Sequence, residues 1–475
     1  MKPRILCRAF GALLVLSVAK YLWLARYAHP VADDFCYAAK SAGQSLWDWS
    51  RSEWLYWNGR FASNLLMIHG PLTWFPDMLT GYRLMPILLI ALTFLGFWAL
   101  LHRAFQGGLG LGHELMGALV WLALYLNLMP DLGEGFYWYT GAITYQLGNI
   151  LMLVHLALLF PSGRDRYAAP ILLLNLLLAV TIVGMDEIHM LMMLGLHVGL
   201  GLWRVGTHRK AGSSLLFIPL VAAASLLMAL APGNAMRGAM YADTHLFWRS
   251  LGMSALQSLR FVAGWSLSPG LLAMALLYIP LHHRWTSRIP ALQRLLRIPA
   301  WLAILLPFLL VVAATFPAYW STGLLGQHRT INVACLFSIP ALFLVLAVAL
   351  QRGPLRRLTG LAPSAQRMIA TMALALIALQ ATRNDLDVHN DLWGGRAAAY
   401  DRELAQREAQ VRAAASDPAM QVALVRLVDP PHTLPSYEEH GVLRSWMLHC
   451  EARFFGAGED QVEMIDPSAA GPMGE

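Results

Sequence analysis

Charge is what this sequence has least of. Only 13% of its 475 residues are Asp, Glu, Lys or Arg, roughly half the share of an average soluble chain. Cysteine is scarce too. Cys7, Cys36, Cys335 and Cys450 are the only four, and none shows the paired spacing of a zinc site or a redox-active Cys-x-x-Cys. There is no internal repeat and no low-complexity tract. These absences exclude a soluble globular enzyme, a zinc module and a repeat array. The formal charge of +7 invites a nucleic-acid reading. However, the basic residues sit mostly in short loops between apolar runs, where they determine topology and form no binding stripe. No nucleic-acid partner is expected.

What is present is apolar sequence, 57% of the chain, with a mean hydropathy of +0.51. A short basic head ending at Arg8 precedes an apolar run to about Tyr27. That run is long, has no small-residue cleavage site behind it and is followed by more of its kind, so it reads as an uncleaved first helix. Further runs lie at about 81–101, 114–130, 141–160, 168–185, 188–203, 214–231, 261–281, 299–317, 331–350 and 368–381. Each approaches the length that spans a bilayer. The fold expected is an all-α polytopic membrane protein of about eleven transmembrane helices. The apolar but short stretch 60–70 fits a half-inserted helix. The Trp-rich segment 28–58 fits amphipathic helices at the interface.

Loop charge orients this bundle. If the N-terminus is cytoplasmic, the chain returns to that side at Arg103, at Arg164 and Arg166, and at Arg204, Arg209 and Lys210. It does so again at Arg284, Arg288, Arg294 and Arg297, and at Arg352, Arg356 and Arg357. The opposite loops after Asp131 and Asp186 hold no Lys or Arg. That is the positive-inside pattern, and it puts Asp33 and Asp34 outside. Residues 1–382 then form the transmembrane domain. Residues 383–475, charged and Ala-rich and then Pro-rich, form a small extracytoplasmic appendage. Cys36 and Cys450 share that exported side, which permits a disulfide without arguing for one. The location expected is a bacterial cytoplasmic (inner) membrane.

The unusual polar residues fall on this one side. Asp33 and Asp34 follow the first span, and Trp57, Asn58 and Arg60 precede the next membrane segment. Asp131, Glu134, Trp138 and Tyr139 follow the third. Asp186, Glu187 and His189 sit in a tight turn. Asn234 and Arg237 follow the seventh, and His328 and Arg329 precede the tenth. The other face offers only Glu114 and Asp165 as comparable carboxylates. Singly, each has a bland reading: a helix cap for the Asp pair, snorkelling for the arginines, an aromatic belt for Trp138. Together they describe a chemistry. A carboxylate can take the proton of an attacking hydroxyl. Arginines bind a phosphate leaving group by charge-assisted hydrogen bonds. Aromatic rings stack on sugars or bracket a lipid chain.

The run Ala32-Asp33-Asp34-Phe35-Cys36-Tyr37 after a first span, with Tyr56-Trp57-Asn58-Gly59-Arg60-Phe61, resembles the GT-C superfamily of polyprenyl-phosphate-sugar-dependent glycosyltransferases. It is similar to a bacterial branch near the O-antigen-modifying glucosyltransferases of the GtrII type. The elements Trp138 to Tyr145, Asp186-Glu187, Ala231 to Arg237 and Ser445 to Gly456 fit the same branch. The resemblance implies a GT-C-like fold, a polyprenyl-phosphate-linked sugar donor, a glycan, lipid or protein acceptor, and inversion at the anomeric carbon. It also implies a base from the first outer loop, Asp33 or Asp34. Some members use a divalent metal and others none. Candidate ligands here are Asp33, Asp34, Asp186, Glu187 and His189. Arg60, Arg237 and Arg329 are the expected phosphate ligands. Trp57, Asn58, Glu134, Trp138, Tyr139, Asp186, Glu187, Asn234 and His328 are the expected sugar or acceptor contacts. The competing readings are an O-antigen-type polymerase or ligase, which would rely on arginines in larger outer loops, and a lipid-linked glycan flippase or transporter. A transporter would show matching halves and mid-membrane charge.

Overall fold

A computed structural model describes residues 3–68, 70–160, 168–206, 214–360, 364–437 and 445–465. Arg164, Asp165, Arg166, Arg209 and Lys210, which carry part of the topology argument, lie outside the described residues. The chain is helical almost throughout. Its first part comprises α1 (Pro3–Leu24), α2 (Asp33–Ser41), α3 (Leu46–Tyr56), α4 (Phe61–Met67), α5 (Met78–Ala104) and α6 (Leu111–Leu128). Then come α7 (Tyr139–Gly141), α8 (Leu147–Leu159), α9 (Ala168–Val183), α10 (Glu187–Gly206), α11 (Ser214–Ala229) and α12 (Pro232–Gly238). The next group is α13 (Phe247–Ser266), α14 (Pro269–Arg288), α15 (Pro290–Leu295), α16 (Ala300–Thr322), α17 (Arg329–Arg352) and α18 (Ala365–Gln380). Last are α19 (Arg383–Trp393), α20 (Arg396–Ser416), β1 (Val422–Val425), α21 (Ser445–Phe455) and β2 (Val462–Ile465).

Among the described residues, seven helices are long and apolar enough to cross a membrane, and nine if each of two bent pairs counts as one span. The chain is therefore a multi-pass helical membrane protein. One bent pair corrects the expected span at 261–281. The helix breaks inside it, after Ser266, and α14 restarts with Ser268 as N-cap and Pro269 in its first turn, turned by 61°. A proline restricts the residue before it and has no N–H to donate, so an unbroken helix is disfavoured there. Hydropathy averages across such a break. The other bend, 49°, separates α11 from α12 at Pro232.

The C-terminal unit is not a separate appendage in packing. It has a small core of its own, in which Val411, Leu424 and Leu448 meet around the parallel pair β1 and β2. Yet Val388, Ala397, Tyr400, Leu427 and Leu434 belong to the main core of the bundle. Polar ties reinforce the seam. Asp385 of α19 pairs with Lys20 of α1, both nearly buried. Asn384 donates to the Leu126 and Met129 carbonyls at 2.9 and 2.8 Å. Asp401 of α20 meets both His29 and Arg83. Cys36 of α2 and Cys450 of α21 are disulfide-bonded, with Cα atoms 4.7 Å apart. The C-terminal unit thus sits directly on the helix that carries the Asp pair.

Candidate functional site

The Asp pair is presented by a strained turn. After α1 the chain runs through Ala28 and His29 to a turn at 31–34, closed by Asp34 N–H donating to the Val31 carbonyl at 3.1 Å. Its second residue, Ala32, has φ +51° and ψ −115°, the geometry of a type II′ turn that glycine normally supplies. Holding an alanine there costs about 1–3 kcal/mol. The strain fixes both carboxylates in the first turn of α2, where the backbone dipole favours negative charge.

The two carboxylates then part company. Asp34 is buried, and its oxygens accept four hydrogen bonds: Tyr82 Oη at 2.7 Å, Thr140 Oγ1 at 2.7 Å, Thr140 N–H at 3.0 Å and Val31 N–H at 3.3 Å. Burial nonetheless pushes its pKa up to about 6, against the downward pull of those bonds. Asp34 pins α2 to α5 and α7. Asp33 is half-buried and has no hydrogen bond or ion pair among the described residues. Burial raises its pKa as well, while the nearby guanidiniums of Arg329 and Arg237 pull it down and the Glu134 carboxylate pushes it up. It is the open carboxylate of the pair.

Facing Asp33 is an irregular stretch, 133–146, in which two π-helical turns, Gly133–Tyr137 and Ala142–Gln146, flank α7. Such widened turns are rare and frequently mark functional sites. The close packing needs Gly141, where a Cβ would lie 2.6 Å from the Glu134 carbonyl oxygen. The stretch presents Glu134, Trp138 and Tyr145. Arg329, the first residue of α17, lies 4.6 Å above the Trp138 ring, and its Nη1 is 2.9 Å from Glu134 Oε1. That ion contact is not an aligned hydrogen bond, and Glu134 Oε2 is buried with no partner among the described residues. Tyr437 of the C-terminal unit donates to Glu134 Oε1 at 3.1 Å and packs edge-on to Trp138. Burial holds the Tyr437 phenol well above its ordinary pKa, so it stays a donor.

The opposite flank is tighter. Arg60 grips Glu187 with Nε at 3.2 and 3.1 Å and Nη2 at 2.7 Å. Tyr145 stands between the two flanks, its ring 5.8 Å from the Arg60 guanidinium and 5.9 Å from that of Arg329. The loop bearing Arg60 is pressed onto the break between α11 and α12. Only a glycine fits at position 59, where a Cβ would meet the Met228 carbonyl oxygen at 2.0 Å. Arg237 of α12 lies 5.6 Å over the half-exposed Trp57 ring and makes no ion pair among the described residues.

Several residues expected to bind ligand are instead occupied by the fold. Asn58 accepts from Arg60 N–H and Asn64, at 2.9 and 3.0 Å. Asn234 accepts from Gly59 N–H and donates to the Met228 and Ala229 carbonyls. The Tyr139 hydroxyl donates to the Leu66 carbonyl at 2.7 Å. Asp186 is fully buried, caps α10 and lies 2.5 Å from His189 Nδ1. His328 is exposed. The metal candidates do not converge. Asp186 and His189 hold each other, Glu187 holds Arg60 and Asp34 is saturated. Among the described residues no three His, Cys, Asp or Glu side chains gather as a metal site would require. The residues do not fit a bound cation. The sequence reading missed Tyr145 and Tyr437 as site residues. Tyr145 ends the Trp138-to-Tyr145 element, where nothing local marks its ring as facing two arginines. Tyr437 had no signal, its partner Glu134 being 303 residues away.

Among the described residues the site therefore gathers the open carboxylate of Asp33, the unpaired Arg237, the loosely engaged Arg329–Glu134 pair and the rings of Trp57, Trp138, Tyr145 and Tyr437 at one end of the bundle. No protein-family model, curated protein or solved structure matches the chain.

Proposed function

We propose that the chain is a GT-C-type membrane glycosyltransferase. It moves a sugar from a polyprenyl-phosphate donor to a cell-envelope glycan, lipid or protein acceptor. The observation that carries the reading is Asp33, a carboxylate with no partner among the described residues, near Arg237 and Arg329 where apolar helices end. An acceptor hydroxyl hydrogen-bonded to Asp33 would lose its proton to that carboxylate as its oxygen attacks the anomeric carbon. The bond from that carbon to the phosphate oxygen breaks, and the polyprenyl phosphate leaves with the electron pair. Arg237 and Arg329 neutralise the leaving group. Attack opposite the leaving group inverts the anomeric centre. Trp57, Trp138 and Tyr145 supply flat faces for the sugar or the first isoprene units.

The same reading places this end of the bundle on the periplasmic side of a bacterial inner membrane, with the N-terminus in the cytoplasm. Loop charge supports that orientation. So does the Cys36–Cys450 disulfide, since such bonds persist in oxidising compartments. Eleven spans result if the shorter apolar helices at Ala169–Val183 and Gln366–Gln380 also cross.

The test is a deletion strain complemented with Asp33→Asn and analysed for its envelope glycan. A general base contributes roughly 100- to 10,000-fold, so the modification should disappear while protein level and insertion stay normal. Full modification by Asp33→Asn would overturn the assignment.

A further inference from the structure

A cavity of about 70 Å³ lies between the C-terminal unit and the turn that presents the Asp pair. On a measure where one water needs roughly 10–15 Å³, that is space for about half a dozen waters, or one pyranose ring. Its walls include Tyr400, Tyr437, Ser436, Glu408 and Glu451, with Ala32 beside them. Tyr437 is a shared wall, because its hydroxyl donates to Glu134 on the far side. We infer that this cavity is a subsite for a neutral sugar ring of the acceptor, bound behind Tyr437 and next to Asp33. The inference rests on the transferase reading for its role, but not for its chemistry.

Three observations select a sugar. The Ser436 hydroxyl is buried with no hydrogen-bond partner among the described residues. Leaving such a group unsatisfied costs about 1–3 kcal/mol, which a ligand hydroxyl would recover. Two carboxylates, Glu408 and Glu451, line the walls; Glu408 holds Arg412 through one oxygen, and carboxylate oxygens have lone pairs enough to accept from sugar hydroxyls as well. Arg407, the cation beside them, is buried and donates to the Val425 carbonyl. The rings of Tyr400 and Tyr437, with apolar neighbours such as Phe35 and Met447, offer surface for the C–H face of a pyranose.

The experiment measures binding directly and involves no transfer. The full-length protein in nanodiscs is titrated with a panel of methyl hexosides and methyl N-acetylhexosaminides by saturation-transfer NMR, and separately with undecaprenyl phosphate. At least one glycoside should bind, and Ser436→Trp, which fills the cavity, should abolish its signal. Glu451→Gln should weaken it about fivefold or more and guards against misfolding of the larger substitution. Undecaprenyl phosphate affinity should stay within twofold in both variants. If no glycoside binds the wild type, or both variants bind as it does, the subsite is refuted. That result would leave the Asp33→Asn test standing. Glycoside binding with normal modification by Asp33→Asn would instead remove the transferase mechanism and keep the sugar site.

Discussion

The two flanks of Tyr145 are built from the same parts and behave differently. On one side Arg60 and Glu187 form a bidentate pair. On the other, Arg329 and Glu134 touch through one oxygen, Glu134 keeps a buried oxygen without a partner among the described residues, and Asp33 close by makes no hydrogen bond or ion pair among them. The pair on the first flank is scaffold, because its two charges match each other and leave only Arg237, over Trp57, to spare. The second has charge left over, and unmatched charge is what a phosphate and a hydroxyl can engage. Residue type does not separate site from support here. Residual hydrogen-bonding capacity does.

The contrast can be broken at three points. The largest effect concerns Asp34. Its folded pKa of about 6 exceeds the ordinary carboxylate value, so the folded state binds the extra proton. The stabilisation this gives is complete below about pH 4 and is lost as pH rises through 6, by on the order of 3 kcal/mol. SDS unfolding from pH 4 to 7 should show that loss, and Asp34→Asn should flatten it while donor binding persists. A variant with the same pH slope as wild type would show that Asp34 is not the titrating group. Next, Glu187→Gln leaves the Arg60 charge unmatched. Breaking a buried pair costs roughly 3–5 kcal/mol, and the partial exposure here lowers that to about 2–3. A clear drop in thermal midpoint is expected, and an unchanged midpoint would make this flank no scaffold. The smallest effect on stability is Glu134→Gln, under about 1 kcal/mol, because Arg329 keeps its stacking on Trp138. It should tighten undecaprenyl phosphate binding roughly threefold by removing a competing charge. Weaker binding would show that Glu134 supports Arg329 and does not compete for it.

Much of this was legible in the sequence because the relevant signals are local. Apolar runs near 20 residues mark helices wherever they pack, and loop charge needs no tertiary knowledge. Those two signals placed Asp33, Glu134, Glu187, Arg237 and Arg329 at a common end. The division of labour between Asp33 and Asp34 was not legible, since Asp34 is claimed by Tyr82 and Thr140, 48 and 106 residues away. Asn58, Asn234 and Asp186 looked like ligands for the same reason: a polar side chain near a membrane end reads alike whether it binds substrate or a distant carbonyl. The break at Ser268–Pro269 was missed because hydropathy averages over it. The disulfide was legible only as a possibility, because a shared side permits the Cys36–Cys450 bond and sequence separation says nothing of pairing.

That disulfide sets an order of events. Cys36 emerges early in synthesis and Cys450 follows 414 residues later. By then every helix from α2 to α20 has been made, and α21 must find a cysteine exposed since the beginning. Tyr437, the residue that closes on Glu134, belongs to the same late segment. The first turn after α1 therefore waits, unfinished, for most of the polypeptide to be translated. A chain that stalls before Cys450 could insert its helices and still lack the bond that holds α21 on α2.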